Sequence, residues 1–505
     1  MTPRWLDRAA GAPHSFSSGT QKGRARRKPM AERKSEDLLA LFDTARLDRR
    51  YWTTFGLLAS GTVLDYFDFF IVGYLIAQLG PQWHLTYGES STILLAAGLG
   101  AIAGALVWGP LSDQLGRKRQ LVFGYLICAA GAGGISLIAD GDWMMFAALR
   151  FIVGFGLAAG TVPSSTMILE ITPTRVRTLV ASLGVMFSTV GSFSASAMGA
   201  TLYTWLGWRN VAVLGASPVI VAMLVMLFVP ESVRWLVAKG RFAEAQRLVA
   251  QRLDLPLSEV PLPTLPPANP PRGRWSELFA KRRLALLSFL IMGGAATVDY
   301  AVMMWGPTII SMLLKISLKE AAGYMATVIL CGIIGKFGFS FAPSYFGRVR
   351  VGQVHGIGLA ICIAATGYFH ATFIGGASVF VILLCVTNLF MQGGFCNAAP
   401  YVIEVFGVRL GARAAGLSQA SNGFGKIMGP MSLAVFAGTG NILTPHATES
   451  AILPAFLFLA CWALGIWAAF TFLGPETHGK PLALDDLENP APAVAHARPA
   501  TSAAD

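Results

Sequence analysis

The chain has 505 residues, 54% of them hydrophobic and only 13% charged, with a mean hydropathy of +0.57. Soluble domains carry roughly 25% charged residues, so a compact water-soluble body is excluded, because a chain so poor in charge could not cover its own surface. The net charge of +12 would suit a nucleic-acid partner, but the cations are confined to alternate loops, which is a mark of membrane topology.

Residues 1–50 form a basic, largely disordered tail with no apolar stretch that would mark a cleaved signal. Within it Ser35–Leu47 reads as a short amphipathic helix, and Met30 is a candidate translation start. Apolar runs long enough to cross a bilayer follow at Trp52–Gln78, Ser91–Leu111, Gln120–Ile138, Trp143–Pro163, Leu179–Tyr203 and Val211–Val229. Residues 230–283 break the series as a polar linker with a helix-forming stretch at Arg234–Leu253. Six further runs then occupy Leu284–Leu314, Ala321–Tyr345, Val351–Phe369, Ser378–Tyr401, Ala414–Phe436 and Ala451–Leu473. The tail from 475 to 505 turns rich in Ala and Pro beyond Lys480 and reads as disordered.

The expected fold class is therefore an all-α membrane protein, with twelve transmembrane helices in two pseudo-symmetric six-helix bundles at 51–229 and 284–474. Lipid leaves no other way to satisfy the backbone short of a closed barrel. Arg117, Lys118, Arg119, Arg175, Arg177, Arg348, Arg350, Arg409 and Arg413 mark one set of loops, together with the tail and the linker. The intervening loops hold little beyond Arg209, Lys315 and Lys319. The positive-inside pattern places both termini and the linker in the cytoplasm of a multi-pass cell (inner) membrane protein. The six cysteines all fall in expected helices without metal-ligand spacing, so neither disulfide nor metal is expected.

The two halves repeat one plan. Asp65-Tyr66 returns as Asp299-Tyr300, Glu170 as Glu404, and the turn around Gly116 as the turn around Gly347, at nearly constant spacing. Paired halves of this kind enclose a midplane site in transporters.

Specific stretches then point to a family. Gly109-Pro110-Leu111-Ser112-Asp113 leading to Gly116-Arg117-Lys118-Arg119 resembles the loop 2–3 signature of the major facilitator superfamily. Arg150, Gly154, Gly156, Gly160, Pro163, Glu170, Pro173 and Arg177 resemble its helix 4–5 signature. Pro230-Glu231 and Pro475-Glu476-Thr477 resemble the sugar-porter-type signatures after helices 6 and 12. Helix 7 lacks the Gln-rich run of true sugar porters, whereas Asp65-Tyr66-Phe67-Asp68 looks like the Asp-x-x-Asp signature of aromatic-acid and metabolite proton symporters. The resemblance implies a proton-coupled metabolite symporter, driven by no nucleotide and needing no cofactor. A proton-coupled exporter, a sugar transporter of the same fold, and a non-transporting nutrient sensor are the rival readings.

Asp68 lies in mid-helix, where a bare carboxylate costs roughly 2.5–3.5 kcal/mol and needs a partner, a wet cavity or a proton. Arg150, which cannot give up its charge, is the expected partner. The pair either couples protons to the access states or is a purely structural ion pair. Asp65, one turn away, and its repeat mate Asp299 with Tyr300 either complete a proton or substrate site or simply hydrogen-bond between helices. Lys426 is a candidate anchor for a substrate carboxylate, against the bland alternative of a snorkelling lysine. Lys336 is a second intramembrane lysine, and Tyr66, Phe69, Trp305 and Phe395 are aromatic candidates for the cavity wall. Asp113 with Arg117, Glu170 with Arg177, and Glu404 with Arg413 read as a charge latch on the cytoplasmic side. Gly100 with Gly104 and Gly156 with Gly160 read as close-packing surfaces. The partners implied are a small solute, protons and the lipid bilayer, with the protein a monomer and not an enzyme.

Overall fold

The structure is a computed structural model that describes residues 38–42, 45, 47–173, 176–201, 203–262 and 275–477. The basic tail before Leu38, Arg175, most of Ser35–Leu47 and everything beyond Thr477, including Lys480, lie outside the described residues. In chain order the helices are α1 (Leu38–Phe42), α2 (Arg49–Gln82), α3 (Tyr87–Leu115), α4 (Arg117–Ile135), α5 (Trp143–Ile171), α6 (Arg177–Thr201), α7 (Tyr203–Leu214) and α8 (Pro218–Phe228). The linker supplies α9 (Val233–Ala238), α10 (Phe242–Leu253) and α11 (Trp275–Ala280). The second half comprises α12 (Arg282–Leu314), α13 (Leu318–Phe346), α14 (Arg348–Tyr368), α15 (Val379–Ala437) and α16 (Pro445–Ala468).

Nine of these segments are long and apolar enough to cross a membrane on their own, among the described residues. The other three expected spans are also helical: α4, α6 and the second limb of α15. Their composition explains the weaker signal. The first opens on three cations, and the other two are rich in Gly, Ser and Ala. Such helices suit positions between other helices, where small residues permit close approach.

Two sequence expectations need correction. The segment 402–413, expected as a turn, is helical, and α15 reverses direction only at Gly407, whose φ of 72° an L side chain rarely adopts. The linker is also more than a tether. α9 and α10, separated at Gly240 (φ 72°), bury Trp235, Leu236, Ala245 and Val249 against Leu38 and Leu41 of α1. This small body docks on α2 through ion pairs from Arg252 to Asp48 and from Arg50 to Asp254. Burial raises the Asp48 carboxyl, but the Tyr51 amide and the Arg252 guanidinium outweigh it and hold it below the usual value. Its contribution to docking is therefore present near neutral pH and is lost as pH falls through that depressed value.

Glycines set the distances within each half. A Cβ on Gly100 would sit 2.0 Å from the Phe151 carbonyl oxygen, and one on Gly154 would sit 1.9 Å from that of Ala97. α3 and α5 thus cross backbone to backbone. Gly104 and Gly156 make similar approaches, to Phe155 and Cys128.

Between the halves, contacts gather on the face away from the linker. The Tyr87 amide donates to the Asn441 carbonyl, that of Gly88 to Thr439, and that of Leu443 to Leu85. The Tyr87 hydroxyl meets Thr448 Oγ1 at 2.5 Å, and its ring lies 5.9 Å from that of Trp305. Deeper in, Gly73 of α2 faces the Met304 carbonyl of α12 so closely that a Cβ would lie 2.5 Å from the oxygen.

Gly73→Leu is therefore predicted to oppose closure of this face. Overpacking of about 1–3 kcal/mol shifts the open–closed balance by about five- to 150-fold. A cysteine placed at Thr448 should become reactive toward a membrane-impermeant thiol reagent. Unchanged reactivity would mean that Gly73 does not set the seal.

Candidate functional site

The apolar sequence around Asp68 makes α2 a continuous helix with a carboxylate buried at its middle. The structure answers that charge with Arg150 of α5. The guanidinium Nη1 donates to Asp68 Oδ2 at 2.7 Å and to the Asp68 carbonyl at 3.3 Å. Their side chains are 2% and 5% exposed, so water screens the pair very little. Two further donors of the same guanidinium, Nε and Nη2, are buried with no acceptor among the described residues.

The next residue, Phe69, faces the other half. Lys426 of α15 places its ammonium 4.4 Å above the Phe69 ring and 5.4 Å from that of Tyr300, close enough for cation–π attraction to both. Tyr300 lies 4.9 Å from Phe69 and stacks on Phe70 at 5.8 Å. Asp65, Asp299 and Arg150 all lie within Coulombic reach of Lys426. Asp299 is buried and accepts a hydrogen bond from Gln392 Nε2 at 2.8 Å. The structure thus brings Asp65, Asp68, Arg150, Asp299, Tyr300 and Lys426 into one buried cluster that both halves contribute to.

Lys336 of α13 is buried and crosses between the halves. Its Nζ donates to Ser188 Oγ at 2.9 Å and to Thr189 Oγ1 at 2.6 Å on α6. The sequence reading noted this lysine but gave it no role. Its partners are ordinary helix hydroxyls with no distinguishing signal, and nothing in the sequence around Gln392 marks it as the donor to Asp299. A hollow of about 1040 Å³ lies elsewhere, between the start of α2, the end of α5 and the linker.

On the linker face each half carries the same device. Gly116 (φ 94°) and Gly347 (φ 86°) turn the chain into α4 and α14. Glu231 accepts the backbone N–H groups of Arg117 and Lys118, and Glu476 accepts those of Arg348 and Val349. A carboxylate at a helix N-terminus satisfies donors that have no intrahelical partner and complements the helix dipole. The neighbouring hydroxyls complete the device: Ser232 donates to Glu170, and Thr477 donates to Glu404 at 2.9 Å. The repeated Pro-Glu-Ser and Pro-Glu-Thr stretches were the available signal for these roles.

The latch pairing expected from sequence is corrected here. Glu404 takes Arg348 and not Arg413, through a two-pronged contact of Nε to Oε2 at 3.1 Å and Nη2 to Oε1 at 2.5 Å. Arg348 opens α14 directly beside Glu404, whereas Arg413 stands beyond the Gly407 bend with its Nε unpartnered among the described residues. The described partners of Glu170 and Glu404 lie in their own half or its adjoining linker or tail, so these bonds brace each half separately. The side chains of Asp113 and Arg177 lie outside the described residues.

Comparison with known proteins agrees with this architecture. Residues 58–430 match the family model described as Major Facilitator Superfamily. The chain is 26% identical to the niacin transporter NiaP of Acinetobacter baylyi over 88% of its own length and 99% of that protein. It is 25% identical to the 4-hydroxybenzoate transporter PcaK of Pseudomonas putida over 81% of its length and 91% of that protein. Among solved structures, the inward-open xylose transporter XylE from E. coli superposes with a TM-score of 0.65 at 17% identity, covering 85% of this chain and 98% of that one.

The Arg348–Glu404 fork should be measurable in a double-mutant cycle. Arg348→Gln and Glu404→Gln are predicted to lower thermal stability in detergent, with a coupling of about 1–2 kcal/mol between them. Strict additivity would show that the fork is idle.

Proposed function

We propose, from the premise that the chain belongs to the major facilitator superfamily, that it is a proton-coupled symporter of a small aromatic carboxylic acid. It is a multi-pass membrane transporter and not an enzyme. We place the linker and both termini in the cytoplasm, because the cations crowd that set of loops.

The observation that carries the reading is the buried Asp68–Arg150 pair beside Lys426. A dry ion pair is costly to break by removing one partner, about 3–5 kcal/mol, because the survivor is left charged without water. Protonating Asp68 avoids that cost for the carboxylate but frees the guanidinium. The proton thus changes which contacts α2 and α5 can hold, and a two-state element biased in this way can couple proton occupancy to access. Asp65 and Asp299 sit near enough to Lys426 to share charge with the site as it empties and fills.

The solute class follows from the same cluster. An ammonium held over Phe69 and Tyr300 offers charge to a carboxylate and ring faces to an aromatic body. Niacin and 4-hydroxybenzoate, named for two relatives, are aromatic carboxylates of this kind.

Asp68→Asn tests the coupling. Accumulation driven by a proton gradient is predicted to fall by about a hundredfold or more, to the passive level. Solute exchange across the same membrane should persist, because the access change no longer requires a proton. Retained uphill uptake in Asp68→Asn would reduce the pair to a structural role.

A further inference from the structure

Arg150 is 1% exposed, yet it spends only one of its nitrogens on Asp68. Nε and Nη2, the two donors on the long edge of the guanidinium, are buried without an acceptor among the described residues. That edge presents two parallel N–H groups, the geometry that receives a carboxylate in bidentate fashion. A charged donor left unmatched in a dry interior is costly, so an unmatched pair on one rigid plane points to a partner from outside the chain.

The neighbourhood says what that partner is. Asp68 and Phe69 are consecutive on α2; the first holds Arg150 and the second holds the ammonium of Lys426 from the opposite half. α3 is close to both cations. The carbonyl of Ala97 meets Gly154, one turn along from Arg150, and Gly98 meets Lys426 Cβ. A lysine ammonium and a guanidinium so placed repel each other, and Lys426 lies within reach of the Arg150 field. An anion between them removes the repulsion and fills the open edge at once. Asp65 and Asp299 bear on Lys426, and Asp299 is held by Gln392.

We propose that the long edge of Arg150 and the ammonium of Lys426 together clamp the solute's carboxylate, with its ring against Phe69 and Tyr300. This deepens the function proposed above and rests on it for the solute class. Arg150 then serves proton and solute at once, with Nη1 on Asp68 and Nε and Nη2 on the solute. Because the clamp has one jaw in each half, a bound carboxylate ties the halves together across the site. A neutral amide of the same shape cannot fill it.

The test is equilibrium binding to the purified full chain, using niacin, 4-hydroxybenzoate and benzoate, each against its carboxamide. At least one acid is expected to bind about 30-fold or more tightly than its amide. Arg150→Lys, which keeps the charge and loses the fork, should weaken the acid about tenfold and leave the amide unmoved. Lys426→Gln should do the same. Asp68→Asn should bind the acid more tightly, because the competing carboxylate is gone. Equal binding of acid and amide, or full acid affinity in Arg150→Lys, would overturn the clamp. Should Arg150→Lys not fold, isotope-edited infrared of 13C-carboxylate benzoate bound to Lys426→Gln decides. A carboxylate stretch displaced from its position in water supports the Arg150 edge, and an undisplaced one refutes it. The two proposals fail separately. Weakened acid binding in Arg150→Lys alongside retained uphill uptake in Asp68→Asn would keep the clamp and discard the coupling; the reverse would discard the clamp alone.

Discussion

The rest of the structure is arranged around one guanidinium that cannot lose its charge and cannot reach water. Arg150 sits within a membrane helix at 1% exposure, and α2 must deliver Asp68 to it for the fold to tolerate either residue. In a medium of low dielectric that attraction is strong, but so is the penalty for taking both charges out of water. The pair is therefore poor evidence for stability and better evidence for use. A hydrophobic pair of the same volume would hold α2 to α5 as well, without the risk.

Around this centre the two halves are built as stiff bodies. On the linker face each has a glutamate closing the N-terminus of a helix and a hydroxyl on a second glutamate, Glu231 with Ser232 and Glu476 with Thr477. Gly100 and Gly154 lock α3 to α5 at backbone distance. In the proposed transport cycle the halves move as units, so what separates the two access states is the contacts between them. On the far face these are the backbone bonds of Tyr87, Gly88 and Leu443 and the Gly73–Met304 approach. In the middle they are Lys336 on Ser188 and Thr189, and Lys426 on Phe69. The proposed solute site lies where the halves meet, beside Lys426 and Phe69.

Much of this was legible in the sequence. Hydropathy marks the helices because lipid forces every backbone group into them, and the repeat marks the halves because the same pairs, such as Asp65 and Asp299, recur. Asp68 and Arg150 could be paired by depth and sign alone, since so few charges are buried. What remained hidden depends on geometry that composition does not carry. From sequence Glu404 pairs with Arg413, and only the folded chain, with its bend at Gly407, shows Arg348 in that place. The role of Lys336 depends on two hydroxyls of α6, residues too common in helices to stand out. The linker's packing against α1 joins segments far apart in the chain, and no local pattern announces it.

In the proposed mechanism proton and solute move together through the Asp68–Arg150–Lys426 cluster. The most direct test reconstitutes the full chain in liposomes carrying an internal pH dye and offers niacin or 4-hydroxybenzoate with no imposed ion gradient. Solute entry is expected to acidify the interior beyond the leak seen in protein-free liposomes, and an inert sugar is not. Solute entry without proton movement, or with alkalinisation, would contradict it.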